Sequence, residues 1–335
     1  SKILDDNYNF SSKGYVKNYN TNITEKVLIN NLIYTSNAKY FGNGVINENN
    51  LSVKNINSEA KNSSNFKNKG SSSIVPTFQA NYTYPLKKET EEFDNTLTPK
   101  LSLKFSPNYT KNLRKRDRKI DYNNIYDLER LGISDVTEGG ISATYGYEYI
   151  KTDKSNLDQK IKFGFANNIR LKYNNDLPAN SNLGKKTSDF VGIFEYNPSK
   201  NMKLNYDFSL KNNLSDKNYE LYGFEFFLNN FSTKLEYVNE NKTSLKNSYL
   251  ASETSYKINE KNSLTFETRQ NKEQSFTEFY NLIYQYQNDC LIAGIEYSKD
   301  YYNDQDLKPT ENLIFKISII PLGGINTPNL KKWLE

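Results

Sequence analysis

The sequence predicts an all-β fold, an antiparallel β-barrel that crosses a membrane, and three observations carry that prediction. From Met202 to Leu210 apolar and polar side chains alternate strictly, and similar runs recur along nearly the whole chain. Successive strand residues point to opposite faces, so each run has one apolar and one polar side. The connections alternate between short turns and longer polar loops, as in membrane barrels. The composition is too polar for a thick dry core, with 36% of the 335 residues hydrophobic, 25% charged and a mean hydropathy of −0.82. A membrane barrel accommodates this because its interior is polar and only its outer belt must be apolar. No stretch approaches the roughly 18 consecutive apolar residues of a spanning helix.

In chain order, Lys26–Tyr34 and Ile74–Tyr84 have strand character, with 61–73 as a polar loop between them. Leu97, Pro99, Leu101, Leu103 and Phe105 then alternate with Thr98, Lys100, Ser102 and Lys104. The longest connection, 107–137, follows and defines the long-loop side. From Gly139 onward the layout is clearer. Ile141, Ala143, Tyr145, Tyr147 and Tyr149 share one face, and Ile161, Phe163, Phe165, Ile169 and Leu171 lie opposite Lys162, Arg170 and Lys172. Further strands are expected at 189–196, 201–210, 219–228, 231–238, 249–258, 263–269, 276–287, 291–299 and 312–321. Most run about 8–12 residues, the length a tilted strand needs to cross a bilayer. Short turns fall at 197–200, 229–230, 259–262 and 288–289, rich in the turn residues Asn, Asp and Pro. The total is about 16 strands in a single barrel domain over 1–335.

Composition also limits the chemistry. Histidine is absent, which excludes His-dependent metal, Ser-His and Cys-His chemistry within this chain. No Gly-x-Ser-x-Gly elbow is present, so an enzyme on a barrel is disfavoured and no cofactor is implied. Net charge is +5. The one dense basic run, 112–119, lacks interleaved aromatics and reads as a solvated or lipid-phosphate-facing loop, not a nucleic-acid patch. Tyr 27 and Phe 19 against Trp 1 fit aromatic girdles at a membrane boundary or a compositional bias.

Three stretches, in order, resemble the barrel region of the LPS-assembly protein LptD family. They are PTFQANYTYPL with LTPKLSLKFSP (76–107), DYNNIYDLERLGISDVTEGG (121–140) and YNLIYQYQNDCLIAGIEYSKDYYNDQDLKPTENLIFKISIIPLGG (280–324). The resemblance implies a Gram-negative outer-membrane translocon that receives lipopolysaccharide from a periplasmic bridge, either LptA-like or the protein's own N-terminal domain. The lipopolysaccharide would pass into the outer leaflet through a lateral seam between first and last strands, with the lipoprotein LptE plugging the lumen. Family barrels have about 26 strands, so the chain is expected to be the C-terminal part of a longer protein, with a periplasmic domain and first strands upstream. A general diffusion porin is the alternative, and a secreted β-solenoid would need a repeat period that is not found.

The resemblance also implies site residues. Cys290 would bridge to the periplasmic domain, and alternation from the long loop puts its turn on the periplasmic side; the other reading is an unpaired small hydrophobe. In the last strand Leu313, Phe315, Ile317 and Ile319 would face lipid, Lys316 and Ser318 the lumen. Pro321 would weaken pairing at the seam or simply end the strand. Asp127, Glu129, Arg130, Gly132, Asp135, Glu138, Gly139 and Gly140 belong to the family's loop motif, read as a salt-bridged loop folding back as a lid. Asp300, Asp304 and Asp306 cluster in an outward loop, either an ordinary solvated loop or a divalent-cation site. Lumenal Lys162, Arg170, Lys172, Lys203, Lys234 and Arg269 either attract anionic headgroups or merely wet the inner wall.

Overall fold

The computed structural model describes residues 6–19, 22–63, 65–107, 110–116, 118–241, 246–301 and 309–319. They form eighteen antiparallel strands. These are β1 (Asn7–Tyr19), β2 (Ile23–Thr35), β3 (Lys39–Tyr40), β4 (Ile46–Lys61), β5 (Ser71–Thr83) and β6 (Leu86–Glu89). Then come β7 (Phe93–Ser106), β8 (Gly140–Asp153), β9 (Lys160–Arg170), β10 (Phe190–Ser199), β11 (Met202–Leu210) and β12 (Lys217–Leu228). The last are β13 (Phe231–Asn241), β14 (Lys246–Lys257), β15 (Asn262–Asn271), β16 (Phe276–Gln287), β17 (Leu291–Asp300) and β18 (Thr310–Ile319). The short β3 continues β2 along their shared partner β4, and β6 continues β5 along β7, so the eighteen strands make sixteen runs. Among the described residues one 3₁₀ turn, Ala179–Ser181, lies in the connection before β10.

The chain divides into two compact units, Ser1–Phe194 with Asp207–Asn218, and Glu195–Tyr206 with Tyr219–Glu335. In the first, β7 and β8 show how the alternation is used. Leu97, Leu101 and Phe105 stand opposite Tyr149, Tyr145 and Ile141 on one face, and most of these side chains are exposed. The intervening Ser102, Lys104, Ser142 and Thr144 are buried on the other. This inverts the soluble-protein arrangement, since the apolar side is the bare one and the polar side is covered.

β4 departs from simple alternation. Leu51 and Val53 share a face, but the next apolar residue, Ile56, lies on the other, packed with Val27 and Ile29. Asn55 and Asn57 occupy the outward positions instead. They join a hydrogen-bonded ladder across four strands, in which Ser12 donates to Asn30 (2.8 Å), and Asn30 (3.3 Å) and Asn57 (2.6 Å) donate to Asn55. Asn55 donates in turn to Ser72 (3.3 Å). This polar ladder hides β1 and β4 from a period-two reading; neither strand was expected from the sequence.

In the second unit β15 to β18 pair in continuous register apart from one shift between Arg269 and Gln270, where β16 carries an extra residue. Leu264 pairs with Tyr284, Tyr284 with Ile295 and Ile295 with Phe315, making one apolar ladder across four strands. The hairpin β12–β13 closes on Asn229–Asn230, with Asn229 at φ 49, the left-handed conformation that tight hairpins require and Asn tolerates. The turn expected at 197–200 is displaced. Asn197 and Pro198 extend β10, and the chain reverses at 200–201, a tighter connection that leaves fewer backbone groups unpaired.

Candidate functional site

The connection between β7 and β8, residues 107–139, packs onto the polar face of the first unit's strands. Its apolar residues are spaced to reach that face. Leu113, Ile120, Tyr122, Ile125, Leu131 and Val136 are buried in a cluster with Ala166 of β9 and Val191 and Ile193 of β10. Two strand glycines make room for the loop's rings. A Cβ on Gly164 would collide with the Tyr122 ring, and one on Gly146 with the Tyr126 hydroxyl. The loop builds its own turn at Asp121, whose carboxylate accepts the backbone N–H groups of Asn123 (3.0 Å) and Asn124 (3.1 Å).

Arg130 and Glu138 anchor the loop. Arg130 Nε and Nη2 donate to the two Glu138 carboxylate oxygens at 2.7 and 2.6 Å, a bidentate pair in which both side chains are almost fully buried. Arg130 Nη1 also donates to Ile125 O (3.2 Å), Thr144 Oγ1 (3.1 Å) and Asn168 Oδ1 (3.0 Å), and Nη2 donates to Ser142 Oγ (3.1 Å). Arg170, at the end of β9, donates to Glu138 and to the Gly139 carbonyl, and Lys104 of β7 lies 3.3 Å from Glu138. Gly140 takes φ +104 here, and a Cβ would strike the Arg170 guanidinium, so glycine is required on both counts. Burial alone would raise the Glu138 carboxyl, but Arg130, Lys104 and Arg170 outweigh it and hold the group well below the usual carboxylate range.

One further acid of the motif also rests on a strand base. Glu129 pairs with Lys54 of β4 at 2.7 Å and accepts from Asn31 (3.1 Å), while Lys54 also donates to Val136 O (3.3 Å). Asp135 pairs with Lys111 within the loop at 2.7 Å. Gly132 adopts φ +61, its N–H closing a turn on Glu129 O. Asp127 is exposed, its N–H bonded to Asn124 O. Burial pushes the Tyr122 and Tyr126 hydroxyls up, with Glu148 adding to the effect. In the β9–β10 connection burial raises Asp189 to about 6, against the Asn182 and Asn218 amides that donate to it.

The remaining sequence-predicted residues lie elsewhere. Cys290 is an exposed, unbridged thiol in the β16–β17 turn, its N–H bonded to Asn288 Oδ1 (3.0 Å). On β18 Leu313, Phe315, Ile317 and Ile319 are exposed on one face, while Lys316 and Ser318 lie on the other, where Lys316 pairs with Glu296. Asp300 ends β17, opposite Thr310. Pro321, Asp304 and Asp306 lie outside the described residues. Several of the cations expected on the inner wall have carboxylate partners, namely Lys162 with Glu148, Lys234 with Glu236, and Arg269 with Glu278. Lys54 and Lys104 are site residues that sequence reasoning missed. Their one signal is a basic residue at a polar position of an alternating strand, and many solvated strands share it.

The family model described as "LptD: LPS transport system D" matches residues 34–249, nearly two thirds of the chain. That span includes β4 to β9 and the whole ion-paired loop, and ends before Cys290 and β18. No curated protein sequence matches significantly. Among solved structures, the siderophore receptor PirA from Acinetobacter baumannii aligns with TM-score 0.43 at 8% identity, over 88% of this chain and 55% of its own. A Rh. blastica porin variant aligns with TM-score 0.41 at 8% identity, over 94% of this chain and all of its own. The chain thus spans about half the length of the siderophore receptor.

Proposed function

Since the chain belongs to the LptD family of lipopolysaccharide transport, an outer-membrane family of Gram-negative bacteria, we propose that it is barrel wall of a translocon that inserts lipopolysaccharide into the outer leaflet. The observation that carries this reading is the family match over 34–249, which contains the Arg130–Glu138 loop in full. Two features agree with it. The exposed apolar faces of β7, β8 and β15 to β18 suit contact with lipid, where a Lys or Arg at mid-depth would cost about 2–4 kcal/mol. The polar face under the loop is filled by side chains, which suits a gated conduit better than an open diffusion pore.

In this reading β18 is one side of the lateral seam, lipopolysaccharide arrives from a periplasmic bridge, a plug lipoprotein of the LptE type fills the lumen, and Cys290 bonds a cysteine of the periplasmic domain. The test uses the full-length protein in cells. Cross-linking an engineered cysteine at Ser318 to the first barrel strand should stop lipopolysaccharide from reaching the surface, and reduction should restore it. Normal export with the cross-link complete would refute the seam. Steady single-channel conductance of the reconstituted protein would favour a diffusion porin instead.

A further inference from the structure

We propose that the polar face of the first unit carries a binding floor for the phosphate groups of the transported lipid, occupied in the closed state by the loop's own carboxylates; the proposal rests on the lipopolysaccharide reading above. Three strand cations pair with carboxylates of the loop: Lys54 from β4, Lys104 from β7 and Arg170 from β9. Every carboxylate paired with them among the described residues comes from the loop, Glu129 on Lys54 and Glu138 on Lys104 and Arg170. With Arg130 included, four cations pair with two carboxylates, so this ion-paired cluster has more cations than carboxylates even when the loop is seated. A covered cationic excess is costly in a protein interior and is the electrostatic form of an anion site.

Polar groups left over at the same place point the same way. Arg170 Nε, Asn168 Nδ2 and Thr137 Oγ1 are buried without a hydrogen-bond partner, and each can donate. Thr137, Lys54, Lys104, Ser52 and Thr77 line a cavity of about 20 Å³ between loop and strands, room for one water. Ser52 and Thr77 already donate to Asn31 (2.8 Å) and Ser106 (3.2 Å), so the donors there for phosphate oxygens are Thr137 Oγ1 and the ammonium groups of Lys54 and Lys104. Glu129 is the exposed edge of the arrangement, with 39% of its side chain accessible, while Lys54 beneath it is 3% accessible. An incoming phosphate would meet Glu129 first and exchange with it for Lys54.

The test uses full-length protein in detergent, titrated with bisphosphorylated lipid A, dephosphorylated lipid A and inorganic phosphate. Glu129→Gln should tighten bisphosphorylated lipid A by about three- to fivefold, the scale of one part-exposed ion pair, and leave dephosphorylated lipid A unchanged. Inorganic phosphate should compete, and adding Lys54→Gln should remove the gain. If that double variant does not fold, hydrogen exchange of residues 125–138 in the unaltered protein decides, because bisphosphorylated lipid A should speed it and dephosphorylated lipid A should not. Equal affinities for the two lipids, no gain from Glu129→Gln, or exchange indifferent to phosphate would overturn the floor. A separate failure of export in cells would overturn the transport reading alone, since lipid A binding is scored independently of export.

Discussion

Glu138→Gln tests how the loop is held. The substitution preserves side-chain volume and removes the one carboxylate shared by Arg130, Arg170 and Lys104, at a site where the Glu138 side chain is 3% accessible. The amide keeps one acceptor oxygen for Arg130 but turns the other position into a donor facing cations. Removing one partner of a buried ion pair costs about 3–5 kcal/mol, because the other charge is left buried and uncompensated. At 1.4 kcal/mol per factor of ten, the loop should open about a hundred- to a few thousandfold more often. Hydrogen exchange of residues 125–138 in folded protein measures this directly, with peptides from β15 to β17 as an unaffected reference. Exchange unchanged within about threefold would show that apolar contacts, not the ion pairs, hold the loop. The same carboxyl sets a pH signature. Its folded value lies below the ordinary one, so its contribution is complete above about pH 4.3 and is lost as pH falls through the lower folded value. Loop protection should therefore be flat between about pH 7 and pH 5 and collapse only in stronger acid.

Gly164→Val should displace Tyr122 and raise exchange across 120–126 without altering the far hairpins, and unaltered protection there would mean the ring does not need the glycine. Asp189 has the opposite pH sign to Glu138. Its folded value, about 6, lies above the unfolded one, so its contribution is full below about pH 4 and is lost as pH rises through 6. Asp189→Asn should flatten that dependence for residues 179–189, and an identical pH profile in the variant would assign it to another group. In the full-length protein Cys290→Ser should abolish a mobility difference between reducing and non-reducing gels, and migration indifferent to reductant in the parent would refute the bridge.

Legibility in the sequence followed the physics of each element. β16 runs Phe276–Gln287, the bounds that alternation predicts, because Tyr280, Leu282, Tyr284 and Tyr286 keep period two along most of it, the register shift against β15 falling only near its start. β1 and β4 were hidden where outward positions carry Ser12, Asn55 and Asn57 in a cross-strand hydrogen-bond ladder, so the apolar period fails although the strands persist. Within the loop, the acidic and basic residues of 121–140 stood out through their family resemblance. Their strand partners did not. Lys54 and Arg170 come from strands 116 residues apart in sequence, and nothing local marks either as the counterion of a loop carboxylate. Long-range charge pairing is fixed by register and strand order, and these emerge only once the hairpins are assembled.

The most direct measurement is depletion of the full-length protein in its own Gram-negative host, followed by assay of lipopolysaccharide at the cell surface. The account predicts that newly made lipopolysaccharide stops reaching the outer leaflet while outer-membrane proteins already assembled persist, and that the intact gene restores export. Undiminished surface lipopolysaccharide after depletion would contradict it.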